Sequence, residues 1–168
     1  MKMAKKLLAV VLAGVLALSV LTGCGGAVST KAIAEAMSDK SKEDGVVYRA
    51  DPELDEKAGQ IAEMIRTKGK GNGSGNAKDI YDRIMAIMGD DYADKYVWIA
   101  ATTTKGNNVT TQASNLLEDV DIDSNINSAV ADDTSPANVR SIGTVPITEN
   151  GVDYLFAVIT ADAVQGKV

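Results

Sequence analysis

The side chains that could carry chemistry in this chain are almost all carboxylates. Asp and Glu contribute 23 of its 168 residues, whereas histidine is absent and cysteine occurs once. Without histidine the chain lacks the commonest general base and the commonest metal ligand. Ser-His-Asp and Cys-His catalytic arrangements are therefore excluded, and so is a histidine-ligated zinc site.

Three pairs of neighbouring carboxylates are the candidates for acid–base chemistry. Enzymes that hydrolyse glycosides use two carboxyl groups, one as an acid and the other as a base or nucleophile. The pairs here are Asp90 with Asp91, Glu118 with Asp119, and Asp132 with Asp133. Adjacent acidic residues are more typical of solvated helix ends and loops, and no spacing assigns a pair to a cleft. We therefore predict no catalytic residue, and a metal-independent carboxylate hydrolase acting on cell-wall polymer stays open as an alternative.

A run of oxygen-bearing side chains could form a calcium loop. Asp121, Asp123 and Asn125 occupy the first three ligand positions of an EF-hand loop, and Asp132 occupies the last. The position that requires glycine for a sharp turn holds Ile126 instead. The pattern favours a polar turn that caps a short helix. We predict no metal site and no cofactor.

The glycine-rich segment 69–76 is similar at first glance to a phosphate-cradling loop. It lacks the Gly-Lys-Ser/Thr ending of a P-loop, and no strand precedes it. The composition predicts a flexible surface loop.

The only cysteine, Cys24, closes the run Leu-Thr-Gly-Cys behind an uncharged apolar stretch, 7–21, which follows three lysines. This arrangement resembles a bacterial lipoprotein signal with its lipobox. The apolar stretch is shorter than the roughly 20 residues that span a membrane, and it ends in small residues, as cleaved signals do. The resemblance implies a signal peptide over 1–23, lipid on Cys24 (diacylglycerol with a further chain such as palmitate) and a short tether over 24–29. Two or three acyl chains anchor a protein stably, so we expect it on a bacterial cell membrane, facing outside the cytoplasm.

Cleavage would make the chain more acidic. Residues 1–23 contain three lysines and no acidic residue, so the formal charge would fall from −6 to −9. Nucleic acids and anionic lipid headgroups both attract basic segments. We therefore predict no nucleic-acid partner, and the lipid on Cys24 is the expected contact with the membrane.

Residues 30–168 are predicted to form a single domain, which is long enough to bury its own core. The clearest helix has Asp51 as its N-cap and Pro52 at its first position. Its apolar face includes Leu54 and Ile61, and Lys57 is expected to be exposed. Other helices are predicted after a cap at Ser29 or Thr30, between the cap Asn76 and Gly89, from Thr111 and over 123–132.

Strands are predicted in the middle and at the end of the chain. The run 96–104 is rich in aromatic and β-branched residues, and Trp98 within it is expected in the core. Asn150-Gly151 predicts a hairpin between strands at 141–148 and 152–160. Pro146 indicates that the first of these strands is interrupted or lies at an edge. The pattern predicts the α+β class, with a small antiparallel sheet flanked by helices.

Three segments together resemble the CAP superfamily (cysteine-rich secretory proteins, antigen 5 and pathogenesis-related 1). They are Asp51-Pro52-Glu53-Leu54 followed by Ala58, Ala62 and Met64, then Ser135-Pro136-Ala137-Asn138 with Ile142 beyond it, and finally the aromatic-rich run 150–158. The resemblance covers roughly residues 30–162 and implies an α-β-α sandwich.

In that family a central cleft usually carries two histidines and two acidic residues that can hold a divalent metal. Asn138 stands where the family's Ser-Pro-Gly-His segment has histidine, and Ser135 matches its serine. The resemblance therefore implies a degenerate cleft around Ser135 and Asn138 and a non-catalytic domain that binds an unidentified surface ligand or protein. A structural envelope lipoprotein without a ligand is the further alternative.

Overall fold

The computed structural model describes residues 28–68 and 77–165. The predicted signal peptide, Cys24 and the glycine-rich segment 69–76 lie outside those residues. In chain order the elements are α1 (Thr30–Lys40), β1 (Val47–Ala50), α2 (Pro52–Lys68), α3 (Ala77–Met88), a 3₁₀ turn (Asp90–Tyr92), β2 (Lys95–Thr103), α4 (Val109–Leu117), a second 3₁₀ turn (Ile122–Ser124), β3 (Thr134–Glu149) and β4 (Val152–Gln165).

The four strands form one sheet in the order β1-β3-β4-β2. β4 pairs antiparallel with both β3 and β2, as the sequence predicts for the hairpin and its neighbour. β1 adds a parallel pairing to β3 that the sequence analysis did not anticipate, so the sheet is mixed.

Helices cover both faces of the sheet. Trp98 and Ile99 are neighbours on β2 and therefore point to opposite faces. Trp98 belongs to the core cluster that contains α1 and α4, and Ile99 to the cluster that contains α2 and α3. The α+β class with helices flanking a small sheet is confirmed, and Trp98 is fully buried as predicted.

The N-terminus of α2 lies directly on the backbone of β3. The Asp51 N–H donates to the carbonyl of Ile142 at 2.9 Å, just where β1 ends. A Cβ on Gly143 would lie 2.0 Å from the carbonyl carbon of Leu54, so only glycine permits this approach.

One carboxylate joins three elements at this junction. Asp55 Oδ1 of α2 accepts from the Thr144 N–H of β3 at 2.7 Å and from Thr30 Oγ1 of α1 at 2.8 Å. The two threonine hydroxyls also lie 2.7 Å apart. Asp55 thus supplies a hydrogen-bond acceptor to the edge of β3, beyond the point where β1 ends.

The free edges of both outer strands are hydrogen-bonded to other parts of the chain. Ser38 Oγ of α1 accepts a hydrogen bond from the Tyr48 N–H of β1 at 2.8 Å and donates to the Tyr48 carbonyl at 3.2 Å. On β2 the Val97 N–H donates to Asn125 Oδ1, and the Val97 carbonyl accepts from the N–H of Ile126, both at 2.9 Å.

Two sequence-based boundaries are wrong. The helix expected over 123–132 is reduced to the short turn at Ile122–Ser124, because Asn125 and its neighbours are used to complete the edge of β2. β3 begins at Thr134 rather than at 141 and includes Ser135 and Asn138. Pro146 lies beyond the stretch of β3 that pairs with β1, so this part of the strand is an edge, as predicted.

Candidate functional site

The three carboxylate pairs lie on different parts of the fold. Asp90 and Asp91 are exposed in the first 3₁₀ turn, Glu118 is exposed at the end of α4, and Asp132 and Asp133 are exposed before β3. Within residues 28–68 and 77–165, no group of three or more acidic or cysteine side chains is placed to hold a metal ion. These pairs therefore do not converge on one reacting position.

The residues of the calcium-loop hypothesis instead hold the backbone together. Asp121 and Ser124 form a capping box at the second 3₁₀ turn. Asn125 Oδ1 already accepts from the N–H groups of Val97 and Asn127, at 2.9 and 3.2 Å. The geometry agrees with the capping interpretation, because the oxygen that a cation would need is bonded to two donors.

Ser135 and Asn138 lie in the first part of β3. Ser135 is partly buried and pairs with Val164 of β4. Asn138 is exposed within a bulge of β3, between Pro136 and Arg140. Its Nδ2 lies 3.6 Å from the position that a Cβ on Gly45 would take, so Asn138 borders the turn after α1.

Beside Asn138 the structure gathers a group that the sequence analysis missed: Arg140 with Tyr48 and Trp98. The Arg140 guanidinium carbon lies 5.1 Å from the ring centroid of Trp98 and 5.8 Å from that of Tyr48. Its Nη1 donates to Tyr48 Oη at 3.2 Å. A guanidinium over aromatic faces is held both by the charge of the cation and by stacking.

Neighbouring bonds fix the rings of this group. Trp98 Nε1 donates to the carbonyl of Asp121 at 2.6 Å. Tyr96 stacks on Trp98 with ring centroids 5.6 Å apart and bonds through Oη to Thr134. Burial raises the pKa of the Tyr48 phenol, and Arg140 opposes that rise, so Tyr48 is a neutral phenol at neutral pH and accepts from Arg140.

A second aromatic group lies near the ends of α2 and α3. Lys57 and Lys95 hold their ammonium nitrogens 5.3 and 5.5 Å from the Tyr92 ring centroid. Burial, then the charges of Glu53 and nearby acids, raise the pKa of Tyr92 to about 12. Lys57 also donates to the carbonyls that end α3, at Ile87 and Met88. These bonds tie helix to helix and explain the group as a structural one.

One buried carboxylate has no partner. Glu149, the last residue of β3, is 5% exposed, and neither carboxylate oxygen has a hydrogen-bond partner. Burial raises its pKa. Ionisation of Glu149 at neutral pH lowers the stability of the fold, because a buried, charged carboxylate is poorly solvated.

The Arg140 group could have been found only with the strand register in hand. Tyr48 pairs with Arg140 across β1 and β3, and Trp98 lies two strands further along the sheet. The three residues are far apart in sequence, and β1 is too short to predict. An arginine in a run of small and β-branched residues was the one available signal.

No known protein family, curated protein or solved structure matches this chain. In the described ranges, none of the helices is long and apolar enough to cross a membrane.

Proposed function

We propose that this is a lipid-anchored bacterial surface protein whose folded part is a non-catalytic, CAP-like binding domain. The anchor is Cys24, which ends the lipobox-like run behind the apolar segment. The binding domain faces outside the cytoplasm and acts on a ligand or protein of the cell envelope.

The observation that carries the domain assignment is the way in which the CAP-like segments meet. The segment that begins at Asp51 starts α2 against β3, through the bond from Asp51 to Ile142 and the close approach at Gly143. The segment that ends the resemblance, 150–158, pairs with β3 as part of β4. Two of the three segments therefore meet on β3, and the remaining one, 135–138, lies in the first part of the same strand. This arrangement supports a single domain built from all three.

The distribution of side chains favours binding over catalysis. The exposed carboxylate pairs lie on separate elements, whereas the groups that do gather are aromatic rings and a guanidinium. The rings of Tyr48 and Trp98 are buried and hold the guanidinium in place, so the ligand would meet Arg140, and arginine is typical of recognition surfaces. The carboxylate hydrolase remains the alternative, and a turnover assay separates the two.

The anchor is tested by replacing Cys24 with Ser. We expect the natural protein to incorporate a palmitate analogue and to fractionate with membranes, and Cys24→Ser to do neither. Equal labelling of both proteins would contradict the lipid anchor.

The domain is tested on purified cell-wall sacculi. We expect the protein to sediment with the sacculi without releasing soluble fragments from them. Release of fragments that is lost when a carboxylate pair is changed to alanine would favour the hydrolase. A protein that stayed in the supernatant would contradict binding to cell wall.

A further inference from the structure

Arg140 differs from the other partly buried arginines of the described chain. Arg66 is paired with Glu63, and Arg83 with Asp79 at 3.0 Å. No carboxylate of residues 28–68 and 77–165 lies within ion-pair distance of Arg140, although the chain has 23 acidic residues against 17 basic ones. A half-buried cation that has no carboxylate partner within an acid-rich protein is a candidate site for an external anion.

The donors of Arg140 are only partly used. Nη1 bonds to Tyr48, and Nε is buried without any partner. Nη2 is not buried and makes no hydrogen bond within residues 28–68 and 77–165, so it is open to solvent. An unsatisfied buried donor is rare in folded proteins and calls for a ligand or water to complete it.

We propose that Arg140, framed by Tyr48 and Trp98, is the recognition site for a carboxylate-bearing ligand. The proposal rests on the proposed binding function and names the class of ligand for it. The carboxylate would approach from the solvent side and accept a hydrogen bond from Nη2. A small rotation of the guanidinium would let its second oxygen accept from Nε.

A carboxylate fits this site better than other anions for a geometric reason. The guanidinium is a planar fork whose parallel N–H groups match the two oxygens of a carboxylate in the same plane. Because Nη1 is already bonded to Tyr48 Oη and the guanidinium carbon lies over the rings of Tyr48 and Trp98, the ligand is left with the edge that carries Nε and Nη2. Both rings are buried and reduce the water around the guanidinium, which strengthens a charged bond made at that edge.

Two further polar residues lie near this group in the fold. Ser41, at the end of α1, lies beside the Tyr48 phenol. Asn138 is exposed two residues before Arg140 on the same strand. Their hydroxyl and amide could bind the part of the ligand next to its carboxylate, which gives the sequence-predicted Asn138 a role beside the main contact.

The test follows the Arg140 Nε–H signal by nitrogen-15 NMR in the full-length protein in non-ionic detergent. Three probes are compared: N-acetyl-alanyl-alanine with a free carboxylate, the same dipeptide as its amide, and glucuronate. We expect at least one acid to shift the signal with a Kd below about 10 mM, and the amide to leave it unchanged. A shift by the dipeptide acid alone identifies a peptide carboxylate, and a shift by glucuronate alone identifies a sugar acid.

Trp98 provides a second readout, because it is the only tryptophan and lies against Arg140. Arg140→Lys keeps the charge but removes the fork, and we expect it to bind the acid at least about tenfold more weakly. Tyr48→Phe keeps the ring and releases Nη1, so it should weaken binding less. Arg49→Gln, an exposed arginine on β1, is the matched control and should bind normally.

Several outcomes would overturn the site. They are the absence of any shift with both acids, an equal shift with the amide, tighter binding of inorganic phosphate than of either acid, and unchanged binding in folded Arg140→Lys. Sedimentation with sacculi separates this inference from the function on which it rests. If Arg140→Lys sediments like the natural protein, the site is wrong and the binding function stands. If the natural protein fails to sediment yet its Arg140 signal shifts with an acid, the carboxylate site stands and the proposed binding to cell wall is wrong.

Discussion

The close contact between Gly143 of β3 and the first turn of α2 predicts that Gly143→Ala strongly destabilises the fold. The added methyl would lie 2.0 Å from the Leu54 carbonyl carbon and 2.3 Å from both the Leu54 oxygen and the Asp55 nitrogen. All three atoms belong to the backbone, so no side chain can rotate away. Since tight contacts begin below 3.4 Å, the helix must move by about 1.4 Å, the difference between these distances, if the contact is to become ordinary.

The magnitude follows from what that movement breaks. Overpacking alone costs about 1–3 kcal/mol. The bond from the Thr144 N–H to the Asp55 carboxylate, now 2.7 Å, is a charged one that contributes about 1.5–3 kcal/mol. The bond from Asp51 to Ile142 adds about 1 kcal/mol. Partial relaxation leaves an expected loss of about 3–6 kcal/mol in the free energy of unfolding, which lowers the Tm by about 10–20 °C.

The assay is urea unfolding of the Cys24→Ser protein, followed by the fluorescence of buried Trp98. Gly59→Ala in α2 is the matched control, because nothing lies within 4 Å of its added Cβ. Alanine is favoured over glycine inside a helix by about 1 kcal/mol. The same chemical change should therefore stabilise the protein at one glycine and destabilise it at the other. If Gly143→Ala unfolds within about 0.5 kcal/mol of the parent with an unchanged m value, the argument from close approach is refuted.

Three further outcomes are expected. Leu54→Ala should lower the free energy of unfolding by about 2–5 kcal/mol, since Leu54 is fully buried, whereas Lys31→Ala, whose side chain is 80% exposed, should barely change it; equal effects would contradict the packing of α2. For Glu149 the folded pKa is raised, so the folded state holds its proton longer and stability falls as the pH rises from the unfolded value through the folded one. Glu149→Gln should therefore raise the free energy of unfolding at pH 7 and match the parent below about pH 4, and a gain that persists at low pH would point to another cause. Calorimetry with zinc should give no Kd tighter than about 1 μM, or roughly −8 kcal/mol, and a stoichiometric nanomolar site would revive the enzyme hypothesis.

Local signals predicted much of the fold. Asp51 caps α2 by accepting from the Glu53 N–H, and Pro52 begins it. Asn150 and Gly151 both adopt the positive φ that the hairpin requires, at 50° and 76°. These features depend on a few adjacent residues, so they can be recognised without knowing the rest of the molecule.

Long-range contacts account for what was missed. Lys57 has the helical spacing of an exposed residue, yet its side chain is 18% exposed because α3 ends against it. Asn127 lies in the stretch predicted as a helix from Ile126 and Val130, but its amide donates to three backbone carbonyls and holds a loop. These carbonyls belong to Tyr92, Ala93 and Lys95. β1 gains its identity only from pairing with β3. The Arg140 group follows from that same pairing, so neither could be predicted from local sequence.

The bonds that Ser38 and Asn125 make to the outer strands have a further consequence for a protein held by the proposed anchor. Molecules tethered to one membrane share an orientation and meet at high effective concentration. An open sheet edge under those conditions is a template on which copies can add strand to strand. Because the Tyr48 and Val97 backbone groups are already bonded within the chain, crowding on the cell surface is less able to convert neighbouring molecules into a continuous sheet.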